Sequence, residues 1–169
     1  MSTDPVAHGD RRDPVAHGDR RDPVAHGDRR DPVAHGDYLP AVCHGDLVYT
    51  AGMTPRRDGE LVVTGVVGAG VPVPVASAAA GLAAENALAA VRWALPPGDT
   101  EVRCLRMTVY VACAPGFVQL SAVADGASET IRRELGARAL PARTAVGVQS
   151  LPSGAPVEVE LVAARGAGG

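Results

Sequence analysis

The most chemically suggestive part of this chain is the stretch from Pro141 to Val162, where one arginine, Arg143, and two glutamates, Glu158 and Glu160, fall on a strand-turn-strand pattern. An arginine can grip a planar carboxylate through two parallel N–H donors, and a carboxylate on an adjoining strand can orient a water and take its proton. Together such groups suit hydrolysis of a small carboxylic acid, so the pattern predicts a hairpin that carries the chemistry. Glu160 reads as a solvated strand residue and His44 as a surface histidine in a turn. Tyr110 and Trp93 read as packing residues.

Composition removes several classes of chemistry. All 16 basic residues are arginine, so there is no lysine to form a Schiff base, anchor pyridoxal phosphate or serve a phosphate loop. The net charge of −3 lacks the basic surplus that nucleic-acid binding needs, and aromatics at 3% offer no stacking platform, so no nucleic-acid partner is expected. Cys43, Cys104 and Cys113 have neither disulfide-framework nor zinc-site spacing and read as free thiols. No metal is expected. With a polar N-terminus and no apolar run long enough to span a bilayer, the chain reads as having no membrane partner and a cytoplasmic location.

Residues 4 to 37 are near-identical copies of Asp-Pro-Val-Ala-His-Gly-Asp-Arg-Arg, starting at Asp4, Asp13, Asp22 and Asp31. A fainter echo in Val42, His44, Gly45 and Asp46 suggests that the tract expanded from the opening segment of the domain. Each unit has one proline, one glycine and two apolar residues, too few to sustain a helix or a buried face. The expected organisation is therefore a disordered repeat tail over 1–37, a domain over 38–165 and a flexible tail over 166–169.

The elements that must position Arg143 and Glu158 follow from periodicity. Ala41–Val42 and Leu47–Thr50 read as short strands around a Gly-Asp turn, and Leu61–Thr64 as another brief strand. Ala84, Leu88, Val91 and Leu95 recur at helical spacing within an alanine-rich stretch from 75 to 95 that Pro96-Pro97-Gly98 ends. Leu105, Met107, Val109 and Val111 alternate along a strand from Val102 to Ala112, and Leu120, Ala124, Ala127, Ile131 and Leu135 mark a second helix stopped at Gly136. In the last strand Val157, Val159 and Leu161 face one way and Glu158 and Glu160 the other. The fold class expected is α+β: a two-layer sandwich with a mixed sheet of about six strands and two helices on one face. The bare sheet face must meet water or a second subunit, and its small apolar side chains predict an oligomer.

With these elements placed, the chain resembles the reactive-intermediate deaminase family (RidA, or YjgF-like). The resemblance rests on Gly-Asp-Leu-Val-Tyr-Thr-Ala-Gly-Met-Thr-Pro from 45 to 55, Ala-Ala-Glu-Asn-Ala-Leu in the first helix and Arg-Met-Thr-Val-Tyr-Val-Ala in the following strand. Pro-Ala-Arg-Thr at 141 to 144 and Pro-Val-Glu-Val-Glu-Leu-Val-Ala near the end complete it. It implies a chorismate-mutase-like fold, a homotrimer with a pocket between subunits, and no metal or organic cofactor. It also implies an activity: hydrolysis of the enamine and imine acids released by pyridoxal-phosphate dehydratases, such as 2-aminoacrylate and 2-iminopropionate, to a 2-oxo acid and ammonia.

Residue by residue, the resemblance makes Arg143 the carboxylate-binding arginine, Glu158 the acid beside the attacking water, and Tyr38 a wall of the pocket. Backbone carbonyls near Ala145 would receive the hydrogens of the substrate nitrogen. Three positions depart from the pattern: Ala51 stands where serine is usual, Ser121 where asparagine is usual and Ala145 where cysteine is usual. The carboxylate grip is kept while its polar surround is thinned. This leaves a second reading, a trimeric module of the same fold that binds a small carboxylate or a partner without turnover.

Overall fold

The structure is a computed structural model that describes residues 36–98 and 101–166. The nonapeptide tract before residue 36 and the last three residues, with the expectations made for them, lie outside the described residues.

The chain opens with strands β1 (Ala41–His44) and β2 (Leu47–Thr50), joined through Gly45 and Asp46. Gly45 takes φ +59°, the left-handed conformation that such a two-residue turn demands. Two small ribbons follow, β3 (Arg56–Arg57) with β4 (Glu60–Leu61) and β5 (Val66–Val67) with β6 (Gly70–Val71). Helix α1 (Val73–Ala94), strand β7 (Val102–Ala112), helix α2 (Leu120–Leu135) and strands β8 (Ala142–Val148) and β9 (Val157–Arg165) complete the chain. The main sheet has five strands in the order β1-β2-β9-β7-β8, all neighbours antiparallel except β7 and β8, which are parallel across the α2 crossover.

Both helices cover one face of this sheet, so the two-layer α+β architecture is as expected, with two corrections. The main sheet has five strands rather than about six; the brief strand expected at Leu61–Thr64 shrinks to Glu60–Leu61 and pairs only within its own ribbon. The final hairpin does not exist as such. β8 and β9 are separated by β7, which pairs with both, because the eight residues from Gln149 to Pro156 are long enough to carry the chain across β7.

The core lies between the sheet and the helices. Val48, Met107, Val109, Val111, Val157, Val159 and Leu161 point into it from the strands, while α1 answers mainly with alanines at 76, 79, 80, 83, 84, 87 and 90. Small side chains let α1 and α2 cross closely: a Cβ built on Gly126 would sit 1.9 Å from the Ser77 carbonyl oxygen, and the Thr130 hydroxyl donates to the Gly81 carbonyl at 3.2 Å. By length and composition α1 is apolar enough to cross a membrane, yet here its apolar side packs on the sheet and α2 as a core helix. It ends at Leu95, before the two prolines, and α2 ends at Gly136, whose φ of +88° breaks the helix.

Candidate functional site

The position of Arg143 is set by register. On edge strand β8 it stands opposite Met107, and Met107 is fully buried beneath the helices, so Arg143 rises on the helix side of the sheet. There α2 receives it: Arg143 Nη1 donates to Asp125 Oδ1 at 2.8 Å and to Ser128 Oγ at 2.7 Å. The Arg143 side chain is only 23% exposed while Asp125 is 69% exposed, so the acid comes from the surface toward a half-buried cation. Ala145, two residues along, shares this side and packs against the core, and Ser121 is exposed one turn before Asp125 on α2.

Glu158 belongs to the other side. It pairs with Tyr110 and alternates with buried Val157 and Val159, which points it onto the face without helices. Its side chain lies directly over Gly52: a Cβ on that glycine would meet Glu158 Oε1 at 2.1 Å, Cδ at 2.5 Å and Cγ at 2.8 Å. Burial, and then the neighbouring charge of Glu160, push the Glu158 carboxyl above its ordinary value. Glu160 accepts hydrogen bonds from the Thr108 and Tyr110 hydroxyls at 3.1 and 3.3 Å, so it is not the merely solvated residue expected. Tyr110, expected to be packing, is tied into this acidic cluster.

Ala51 precedes Gly52, and its backbone N–H donates to the Pro40 carbonyl at 2.9 Å. Tyr38 lies just before Pro40 and is half exposed. The six residues singled out from sequence therefore fall into two groups within one chain. Arg143, Ala145 and Ser121 lie with β8 and α2; Glu158 lies with the segment that holds Ala51 and follows Tyr38. The chain does not bring Arg143 and Glu158 onto a common face.

Three contributors were not visible in sequence: Asp125, Ser128 and Gly52. Asp125 and Ser128 are one helical turn apart, which matches a shared partner, but nothing local says the partner is an arginine on a strand. A groove of about 290 Å³ between α1 and α2, lined among others by Arg57, Ser77, Glu85, Glu129 and Arg133, contains none of the six predicted residues. Among the described residues no three His, Cys, Asp or Glu side chains gather as a metal site would require.

Residues 29–165 match the family model described as endoribonuclease L-PSP. Solved structures align over most of the same region. The protein Atu1372 of Agrobacterium tumefaciens, of unknown function, is 36% identical, with 80% of this chain and 87% of that one covered at a TM-score of 0.73. The YjgF gene product of E. coli is 30% identical, with 80% and 93% covered and a TM-score of 0.57. E. coli TdcF, solved with bound serine, is 28% identical, with 82% and 95% covered and a TM-score of 0.59. This chain belongs to the L-PSP family, that of YjgF and RidA.

Arg143 stands on an edge strand, and the helix-free face beside Glu158 exposes Val42, Tyr49 and Val146. An edge and an apolar face are surfaces that a second copy could cover.

Proposed function

We propose that this YjgF/RidA-family protein is a cofactor-independent hydrolase of small enamine and imine carboxylates, 2-aminoacrylate and 2-iminopropionate among them, yielding a 2-oxo acid and ammonia. The observation that carries the reading is Arg143: a half-buried guanidinium on an edge strand, with only Nη1 engaged by its own chain among the described residues. Nη2 and Nε remain for a planar carboxylate. Serine bound in TdcF adds a small carboxylate ligand in a relative of the same fold.

Because Arg143 and Glu158 lie on opposite sides of one sheet, the site we propose is completed between chains of a homotrimer. The β8–α2 edge of one chain, with Arg143, Ala145 and Ser121, would meet the Tyr38–Ala51–Glu158 side of the next. Arg143 would orient the substrate carboxylate and fix the imine carbon beside a water. With the enamine tautomerised to its imine and the nitrogen protonated, Glu158 would take a proton from that water as its oxygen bonds to C2, then return one to the nitrogen as the C–N bond breaks, while the carbinol O–H proton passes to solvent as C2=O forms and ammonia leaves. Burial serves this role, since a carboxylate whose pKa is raised is a stronger base when ionised. Tyr38 would wall the pocket, and the backbone near Ala145 would accept hydrogens from the nitrogen. We place the reaction in the cytoplasm, a setting suited to three free cysteines.

A second reading, a trimeric module that binds a carboxylate or a partner without turnover, draws on Ala51 and Ala145, which offer no polar side chain to a substrate. Supplying purified protein with freshly generated 2-aminoacrylate and following pyruvate release separates the two. The hydrolase reading expects release faster than the protein-free rate, an acceleration that Arg143→Ala abolishes; equal performance of wild type and Arg143→Ala sinks it.

A further inference from the structure

Arg143 meets a carboxylate before any ligand arrives. Asp125 accepts from Nη1, and the neutral Ser128 hydroxyl accepts from the same nitrogen. We propose that Asp125 is a positioning and affinity-setting residue, an in-chain competitor that sets how tightly Arg143 holds an incoming carboxylate. The inference rests on the reading that Arg143 is the carboxylate grip and adds what regulates it.

The two partners divide the work. Ser128 is uncharged, a turn further along α2, and alone can keep the guanidinium directed along the helix. Asp125 brings a negative charge to within hydrogen-bond distance of the same nitrogen, so the pair is electrically neutral. An anion approaching Nη2 and Nε then meets a dipole instead of a free cation, with a like charge behind it. Since Asp125 is 69% exposed, the pair is well solvated and its opposition is modest. Exposure also leaves Asp125 free to swing away into water, which a buried partner could not do. A site tuned in this way holds product weakly and releases it, whereas an unopposed arginine would retain the 2-oxo acid.

The test uses the full-length protein and pyruvate as the carboxylate probe, with binding followed by ligand-observed NMR. Asp125→Asn keeps an acceptor for Nη1 but removes the charge, and should tighten pyruvate about two- to five-fold, the range of an exposed ion pair. Asp125→Ala should tighten it similarly, and Ser128→Ala should not. Phenylglyoxal labelling of Arg143, resolved by peptide mass spectrometry, should be faster in both Asp125 variants. Unchanged or weaker pyruvate binding in Asp125→Asn, or unchanged labelling of Arg143, overturns the proposal. Faster labelling and tighter binding, with neither wild type nor any variant accelerating pyruvate release from 2-aminoacrylate, would keep Asp125 as the competitor and sink the hydrolase reading instead.

Discussion

Replacing Gly52 by alanine tests whether the placement of Glu158 matters to turnover. The added Cβ would fall 2.1 Å from Glu158 Oε1 and 2.5 Å from Cδ, whereas ordinary contact begins near 3.4 Å. The carboxylate must withdraw by more than an ångström. The atoms that have to move, Oε1, Cδ and Cγ, belong to a flexible side chain and not to backbone, and Gly52 does not occupy the left-handed region, so the fold can absorb the methyl. Stability should change by less than about 1 kcal/mol. Displacing a catalytic group by about 1 Å costs on the order of 100-fold in rate, or about 2.7 kcal/mol of transition-state stabilisation. The expected result is therefore a near-native melting temperature with kcat for 2-aminoacrylate hydrolysis down by about 10- to 100-fold and KM little changed, because Arg143 is untouched. In a Glu158→Gln background the same substitution should cost almost nothing. Full activity in Gly52→Ala, or an equal loss in both backgrounds, would refute the argument that this glycine seats the carboxylate.

Other outcomes follow from burial and packing. Glu158 titrates above its ordinary 4.5 in the folded chain, so its contribution to stability is fully present below that value and is lost as pH rises through the folded pKa. Urea denaturation at pH 4 and pH 7 should show wild type losing ground to Glu158→Gln at the higher pH, and the acid limb of kcat/KM should lie above the usual carboxylate range. Gly126→Ala would drive a methyl into the Ser77 carbonyl of α1, backbone that cannot rotate away. Overpacking near the top of its usual range, less about 1 kcal/mol gained from helix propensity, leaves a loss of about 2 kcal/mol, measurable by denaturant titration. Burial pushes the Cys104 thiol up to about 11, while Cys43 is exposed. A thiol-specific disulfide reagent should modify Cys43 in the native protein and reach Cys104 only on unfolding.

The parts of the fold that sequence reveals are those whose signal is local. The alternation of Met107, Val109 and Val111 and of Val157, Val159 and Leu161 marks two inward strand faces correctly, and the latter already assigns Glu158 to the opposite face. Gly136 ends α2 where expected. β8 gives a misleading signal: Ala142, Thr144, Val146 and Val148 are the more apolar set, yet it is Arg143, Ala145 and Gly147 that pair with the core-facing Met107, Val109 and Val111. The side of the sheet on which Arg143 stands, and with it the separation from Glu158, is fixed only by pairing with Met107. The same holds for Gly52, Asp125 and Ser128, whose roles arise from contacts between segments far apart in the chain.

The alanine-lined face of α1 decides how this protein can fail. Truncation, the usual way to damage an interior, removes only a methyl from most of these positions, so no single deletion of atoms there opens a large void. Growth is the danger, because added bulk there must push α1 away from the sheet or from α2. Harmful substitutions along α1 should thus be those that introduce bulk, and random variation in this segment would be culled by size more than by polarity loss or shrinkage.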